Sequence, residues 1–233
     1  MKYKKLSSLS IFFPCYNDEK TIYHLINEAY STGRKVTRSL EVIVVNDGST
    51  DNSKKQLTKA KSIHPSLKII HHQKNKGYGG ALRSGFKAAS KDFVFYTDGD
   101  AQYDIKELSL LVAKMNSKVD IVNGKIDNST TRDIFGNFYS LCTKILFNIP
   151  IARANVAFRL IRKSALDKIT LELNSAAFCI ELVAKLHMSG ANFVEIPVSH
   201  YSRKYGRSQF FTFKRIARTV IDNFQLFIKL YLS

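Results

Sequence analysis

Asp98 and Asp100 stand two residues apart in the stretch FVFYTDGDAQYD, directly after an apolar run. In extended backbone, residues at that spacing point to the same side of a strand, so the two carboxylates share a face. Like charges so close repel and raise each other's proton affinity unless a cation sits between them. Hard oxygen ligands suit Mg2+ or Mn2+, which keep positions open for phosphate oxygens. A solvated acidic turn is the alternative, and the buried strand leading straight into the pair argues against it.

Three further clusters of this kind follow apolar runs. In IFFPCYNDE, Pro14, Tyr16, Asn17 and Asp18 come directly after the run. Asn17 or Asp18 can simply cap the next helix, and Tyr16 can stack on a base or merely pack. In EVIVVNDGSTDNS, Asp47 sits just past the strand and Gly48 permits a tight turn. Ser49 through Asp51 can then open a helix, so a structural turn also accounts for this segment. In NKGYGGALRSG, Gly77, Gly79 and Gly80 let backbone approach a ligand closely, and the helix that follows offers N–H groups to an anion. The Lys-Ser/Thr ending of a P-loop is missing.

The elements that must position these residues follow from hydrophobic periodicity. Short apolar runs, rich in β-branched and aromatic residues, predict strands at 9–13, 42–45, 67–70 and 93–96. Between them, helical spacing predicts helices near 18–31, 51–62, 78–90 and 104–116. That alternation is the pattern of βαβ units on a mostly parallel sheet, an α/β fold whose ligands bind at the carboxyl ends of the strands. After residue 124 the alternation breaks down. A strand at 119–124, a helix near 132–147, an extended segment at 156–162, a helix near 176–188 and a strand at 192–200 are expected there. One long helix is expected from 209 to 232. The simplest parse is a core domain over 1–208 with a C-terminal amphipathic helix at 209–233.

Composition sets the direction of charge. Among 233 residues, 36 Lys and Arg outweigh 19 Asp and Glu, a net charge of +17. Such an excess favours polyanions: nucleic acid, an anionic membrane face or phosphate-bearing ligands. A non-enzymatic nucleic-acid-binding module is one reading of that charge. Against it stand the lack of a zinc-finger, RNP or helix-turn-helix signature and the strand-end acids, which repel phosphate when no metal is present. Nucleic acid is therefore not expected as a partner. The three cysteines, Cys15, Cys142 and Cys179, have no metal-ligand spacing and suggest reduced thiols in the cytoplasm. Neither a signal peptide nor an apolar run long enough to span a bilayer is visible in the sequence.

Taken together, the four strand-end segments resemble GT-A glycosyltransferases of family 2, particularly the polyprenyl-phosphate (dolichyl-phosphate-type) hexosyltransferases. The resemblance runs over residues 8–215. DGDAQ is similar to the family's DxD-x-Q, VNDGSTD to its nucleotide-binding VDDGSxD, and PCYNDE to its P-x-Y-N-E with Asp18 in place of Glu. HYSRKYGRSQFF, residues 200–211, resembles the R-x-x-G-x-S loop that closes over the donor diphosphate. The resemblance implies a GT-A, Rossmann-like nucleotide-binding sheet flanked by helices. It implies catalytic roles for Asp98, Asp100, Arg132 and Arg203, with the metal on Asp98 and Asp100. The nucleotide would meet Pro14, Tyr16, Asn17, Asp18, Asp47, Gly48, Gly77, Gly79, Asp98, Gln102, Arg203 and Ser208, with Lys204 and Arg207 assisting. An acceptor phosphate would meet Arg132, Lys125 and Arg153, the last standing where relatives often have aspartate. ANVAFRLIRKSA resembles the family segment ending in G/A-F-R/K-L. Glu181 can reach the site, although an exposed pair with Lys185 one turn later explains it as well.

The implied reaction moves a hexose, with inversion, from a nucleotide-sugar to a polyprenyl phosphate. UDP is expected over GDP from its frequency in the wider family. A lipid phosphate is already an anion and needs positioning rather than a general base; a saccharide or other hydroxyl acceptor is the alternative. Apolar residues from Phe213 to Tyr231 lie largely opposite Lys214, Arg215, Arg218, Asp222 and Lys229. Such a basic amphipathic helix can lie on an anionic membrane, or pack on the domain, a second subunit or a membrane protein. A peripheral place on the cytoplasmic membrane face is the expectation.

Overall fold

The computed structural model describes residues 4–126, 134–205 and 212–232. Its strands are β1 (Leu9–Cys15), β2 (Leu40–Asn46), β3 (Lys68–His71), β4 (Phe93–Thr97), β5 (Ile121–Ile126), β6 (Phe158–Arg162) and β7 (Phe193–Val198). They form one sheet in the order β3-β2-β1-β4-β6-β5-β7. β1 and β4 are buried at every position and β2 at every position after Leu40, as expected for strands covered on both faces. β1 pairs in parallel with β2 and β4, and β5 with β7, while β6 runs antiparallel between β4 and β5. The carboxyl ends of β1, β2, β4, β5 and β7 therefore share one edge, and chain order reverses at β1, the kind of crevice where open α/β sheets bind ligands.

The helices are α1 (Ile22–Val36), α2 (Ser53–Ile63), α3 (Tyr78–Ala88), α4 (Leu108–Lys114), α5 (Ile134–Leu146), α6 (Lys163–Leu166), α7 (Phe178–Met188) and α8 (Phe213–Tyr231). A 3-10 turn at Ile105–Glu107 leads into α4, with the Asp104 carboxylate accepting from the Lys106 N–H. α1 starts later than periodicity suggests. The Asp18 carbonyl accepts the N–H groups of Thr21 and Ile22, so neither Asn17 nor Asp18 caps the helix with its side chain. The short α6 has too little periodicity to be read in advance.

At the amino edge, away from the site, Glu41 ties three elements together. Its carboxylate accepts from Ser10 Oγ at 2.6 Å, Lys68 Nζ at 2.5 Å, and both the N–H and hydroxyl of Ser90. α8 closes a smaller apolar cluster, in which Leu226 packs with Phe147, Ile149, Ile151, Ile180 and Val183. Among the described residues no helix is long and apolar enough to cross a membrane.

Candidate active site

Asp98 and Asp100 follow β4, but through a turn rather than extended backbone. β4 ends at Thr97, and Ala101 takes a left-handed φ of 58°. A non-glycine residue in that region is uncommon, and such strain gathers at functional sites. The two carboxyls still lie near enough for the charge of Asp100 to act on Asp98. Asp100 Oδ2 meets Arg203 Nη2 at 2.5 Å, and Oδ1 accepts the Gln102 N–H at 3.1 Å. Asp98 Oδ1 accepts from Tyr78 Oη at 2.8 Å.

A third carboxylate joins them. Asp18 Oδ2 accepts the Tyr16 N–H at 2.9 Å and would lie 2.9 Å from a Cβ added at Gly99. Burial and the negative charge of Asp100 push Asp18 up to about 7, against the pull of the Tyr16 N–H. Burial and Asp100 likewise push Asp98 well above the usual carboxylate range. These carboxyls are short of positive charge even with Arg203 beside them. A divalent cation fits that deficit, since Mg2+ is held by one or two carboxylates with water and substrate phosphates completing its shell. Among the described residues no group of three or more His, Cys, Asp or Glu is placed to hold a metal ion.

The Arg203 loop is fastened along the acidic turn. Gln102 Nε2 donates to the Tyr201 carbonyl at 2.9 Å, the Tyr201 N–H donates to the Gln102 carbonyl at 2.8 Å, and Tyr103 bridges His200. Burial and the Arg153 charge hold the His200 imidazole below its ordinary value, against the pull of Asp100. Lys125 is exposed near the end of β5, in register with Pro197. Arg132 and Ser208 lie outside the described residues.

Other sequence-predicted residues are committed within the protein. Asn17, at φ 58°, accepts the Thr50 N–H at 2.8 Å, and its own N–H donates to Ser49 Oγ. The Asp47 carboxylate is buried against His72 Nδ1 at 2.6 Å and accepts the N–H groups of Lys76 and Gly77. Gly48 turns at φ 72° against Asn75. Gly77 and Gly79 do permit a close approach, but to backbone. A Cβ at Gly77 would lie 2.7 Å from the Asn174 carbonyl, and one at Gly79 2.6 Å from that of Ser175. The N–H groups of Gly79 and Gly80 both donate to the Asn174 carbonyl, so this helix start is already occupied. Glu181 fixes that loop: it accepts the N–H groups of Glu172 and Leu173 and meets Lys185 Nζ at 2.6 Å. The i, i+4 pair forms as expected, but Glu181 is fully buried rather than exposed. Pro14 is buried near the end of β1, and Tyr16, just past it, is half-buried.

Sequence reading gave no role to Tyr78, His200 or Arg159, although Arg159 stands in the family-like stretch AFRL. Arg159 is wholly buried and donates to Asn123 Oδ1, Tyr96 Oη and the carbonyls of Ala154 and Val156. A tyrosine after a glycine, or an arginine inside an apolar strand, has no spacing that marks its partner in advance.

A mostly parallel sheet flanked by helices, with acids and a basic loop at its carboxyl edge, is the arrangement of a GT-A fold. The family model described as "Glycosyl transferase family 2" matches residues 10–170, more than half of the chain, and the chain belongs to that family. It is 26% identical over 223 residues to an undecaprenyl-phosphate 4-deoxy-4-formamido-L-arabinose transferase of Proteus mirabilis (strain HI4320), a match covering 92% of this chain and 66% of that protein. The counterpart from Salmonella choleraesuis (strain SC-B67) is 26% identical, covering 93% and 66%. The chain thus spans slightly less than two thirds of these relatives' length. Among solved structures, glucosyl-3-phosphoglycerate synthase from Mycobacterium tuberculosis, in complex with Mn2+, UDP and phosphoglyceric acid, superposes with a TM-score of 0.72 at 14% identity, covering 96% of this chain and 78% of that one. A mannosyltransferase from Pyrobaculum calidifontis, in complex with GDP-Man and Mn2+, gives 0.68 at 19% identity, covering 98% and 68%.

Proposed function

We propose that this protein is an inverting, metal-dependent glycosyltransferase that moves a hexose from a nucleotide-sugar to a polyprenyl phosphate. The observation that carries the reading is the contact of Arg203 with Asp100 at the carboxyl edge, beside Asp98 and Asp18. In that place a guanidinium and two acids can bracket a diphosphate, the acids through a cation and the arginine directly. The names of the curated relatives support a lipid phosphate as acceptor.

Asp98 and Asp100 would hold Mg2+ or Mn2+, which when bound neutralises diphosphate charge as the sugar–phosphate bond breaks. Tyr78 orients Asp98, and Gln102 holds the loop that presents Arg203. Arg203 then exchanges Asp100 for the diphosphate and steadies the leaving group. Pro14 and Tyr16 form the base side of the crevice, with Asn17, Asp47, Gly48, Gly77 and Gly79 shaping the loops beneath it. Arg153, Lys125 and Arg132 would position the acceptor phosphate, which attacks the anomeric carbon without needing a proton removed. Ser208 would complete the donor loop. UDP is the favoured donor nucleotide, and the cytoplasmic membrane face the favoured site of action.

The test is calorimetry and turnover with purified protein, Mg2+ or Mn2+, and a panel of UDP- and GDP-sugars with polyprenyl phosphate. Metal-dependent donor binding and transfer to the lipid are expected. No metal-dependent binding of any donor sinks the enzyme reading, and transfer to a saccharide but not to lipid phosphate sinks the acceptor.

A further inference from the structure

Glu181 is a buried acid to which the proposed chemistry gives no task. It sits in the first turn of α7 and is wholly buried, a costly place for a carboxylate unless each oxygen finds a partner. Both oxygens do. Oε1 accepts the Glu172 N–H at 3.0 Å and meets Lys185 Nζ at 2.6 Å, and Oε2 accepts the Leu173 N–H at 3.0 Å. Lys185 Nζ also donates to the Thr170 carbonyl at 2.6 Å. The acid and its lysine thus grip the backbone of residues 170, 172 and 173, a stretch with no helix or strand of its own.

That stretch in turn holds the start of α3. The Asn174 carbonyl accepts the N–H groups of Gly79 and Gly80 at 2.9 and 3.4 Å, and Arg83 donates to the Glu172 carbonyl. There is no slack in the fit: a Cβ at Gly79 would meet the Ser175 and Leu173 carbonyl oxygens at 2.6 and 2.8 Å. Phe178, at the start of α7, stacks on Phe86 of α3 with ring centres 6.0 Å apart. Tyr78 is the first residue of α3, and its hydroxyl donates to Asp98 Oδ1 at 2.8 Å. A donor on one carboxylate oxygen turns the other toward a cation, and such a supporting group has to hold its ligand to within about 0.5 Å.

We propose that Glu181 is a positioning residue for the metal site: through the 172–175 loop it fixes the first turn of α3, and with it the Tyr78 hydroxyl that aims Asp98. The proposal rests on the reading of Asp98 as a metal ligand.

Mn2+ binding to the full chain in the presence of UDP or GDP, followed by electron paramagnetic resonance, tests it. Tyr78→Phe keeps the ring and drops the hydroxyl, and should weaken Mn2+ binding about tenfold. Glu181→Gln should weaken it by a similar factor. Because both act along one path, the double variant should fall no further than the more damaged single variant, whereas independent effects would multiply to about a hundredfold. Hydrogen exchange supplies a readout that needs no metal. The Gly79 and Gly80 amides should exchange at least about tenfold faster in Glu181→Gln, and at the wild-type rate in Tyr78→Phe. Arg83→Met removes only the exposed side of the same seam. It should shift both measurements the same way by a smaller factor, and it carries the test if Glu181→Gln does not fold. Unchanged exchange at Gly79 and Gly80 in the folded variants overturns the brace. Faster exchange with wild-type Mn2+ affinity, or a hundredfold loss in the double variant, overturns the positioning role and leaves Glu181 a structural one. A wild type that binds no Mn2+, with exchange still faster in Glu181→Gln, supports the brace and sinks the metal reading instead.

Discussion

On the β1–β4 side of the sheet, the loops after the strands are laced to one another. Backbone N–H groups of Asn17, Asp18 and Glu19 donate to Ser49, Ser53 and Asp51, and the Asn52 N–H returns to Glu19. On the β5–β7 side the polar lacing is set deeper. Arg159, Asn123 and Glu195 form a chain that reaches the Ala152 N–H and so holds the segment carrying Arg153. Outside that chain, this side shows bare apolar helix faces to solvent. The side proposed for the donor thus has its geometry fixed by short polar contacts, as a site that stabilises developing charge requires, whereas the side proposed for the acceptor exposes apolar helix faces.

The largest test of that contrast is Asp100→Asn. Turnover should fall at least about a hundredfold, measured with saturating Mn2+, and chelation of the wild type should match it. The melting temperature should hold, since the Gln102 N–H keeps an oxygen acceptor. Retained activity would move the metal off this pair.

Next in size is Arg159→Met on β6, the strand shared by both halves. It strips partners from Asn123, Tyr96 and two carbonyls, and should destabilise the chain by about 3 kcal/mol in urea unfolding. If only the acceptor half depends on this chain, metal-dependent donor binding survives in the fraction that remains folded. Equal loss of donor binding would break the division.

Gly79→Ala tests a place where the two sides are stitched. The added Cβ would lie 2.6 Å from the Ser175 carbonyl and 2.8 Å from that of Leu173. Backbone cannot yield as a side chain tip can, so a loss of about 1–3 kcal/mol is expected in thermal melts. A neutral result would mean that the 173–175 segment is not held against α3 in solution.

The smallest effect lies at the amino edge. Burial alone would raise Glu41, but Lys68, Ser10 and Ser90 outweigh it and bring the carboxyl down to about 2. A depressed carboxylate stabilises the fold above its unfolded pKa, and that stability is lost as pH falls through the folded value. Urea midpoints should therefore decline between about pH 4.5 and 2, and Glu41→Gln should flatten that part of the slope.

Periodicity placed every strand within a few residues, because runs such as SIFFPC and EVIVVN can only be buried from both sides. It also placed the acidic pair at a strand end. It missed the turn that follows the strand, since the left-handed backbone at Ala101 leaves no mark in an alanine. The glycines of NKGYGG were legible as a close approach but not as an approach to Asn174 and Ser175, nearly a hundred residues on. For α8 the amphipathic pattern offered membrane or protein. Thr219, Asp222 and Leu226 went inward, so one face packs on the protein, while Phe213, Val220 and Phe224 stayed exposed.

By itself, then, the sequence determined the family, the α/β sheet and the strand end that bears Asp98 and Asp100, because these depend on local periodicity and on residue types a few positions apart. Only the tertiary structure decided that Arg203 rests on Asp100, that Asp47 serves His72, and that Glu181 holds the loop laid against α3. Those pairings join residues far apart in the chain, and their partners are chosen by packing and charge once the sheet has brought them together.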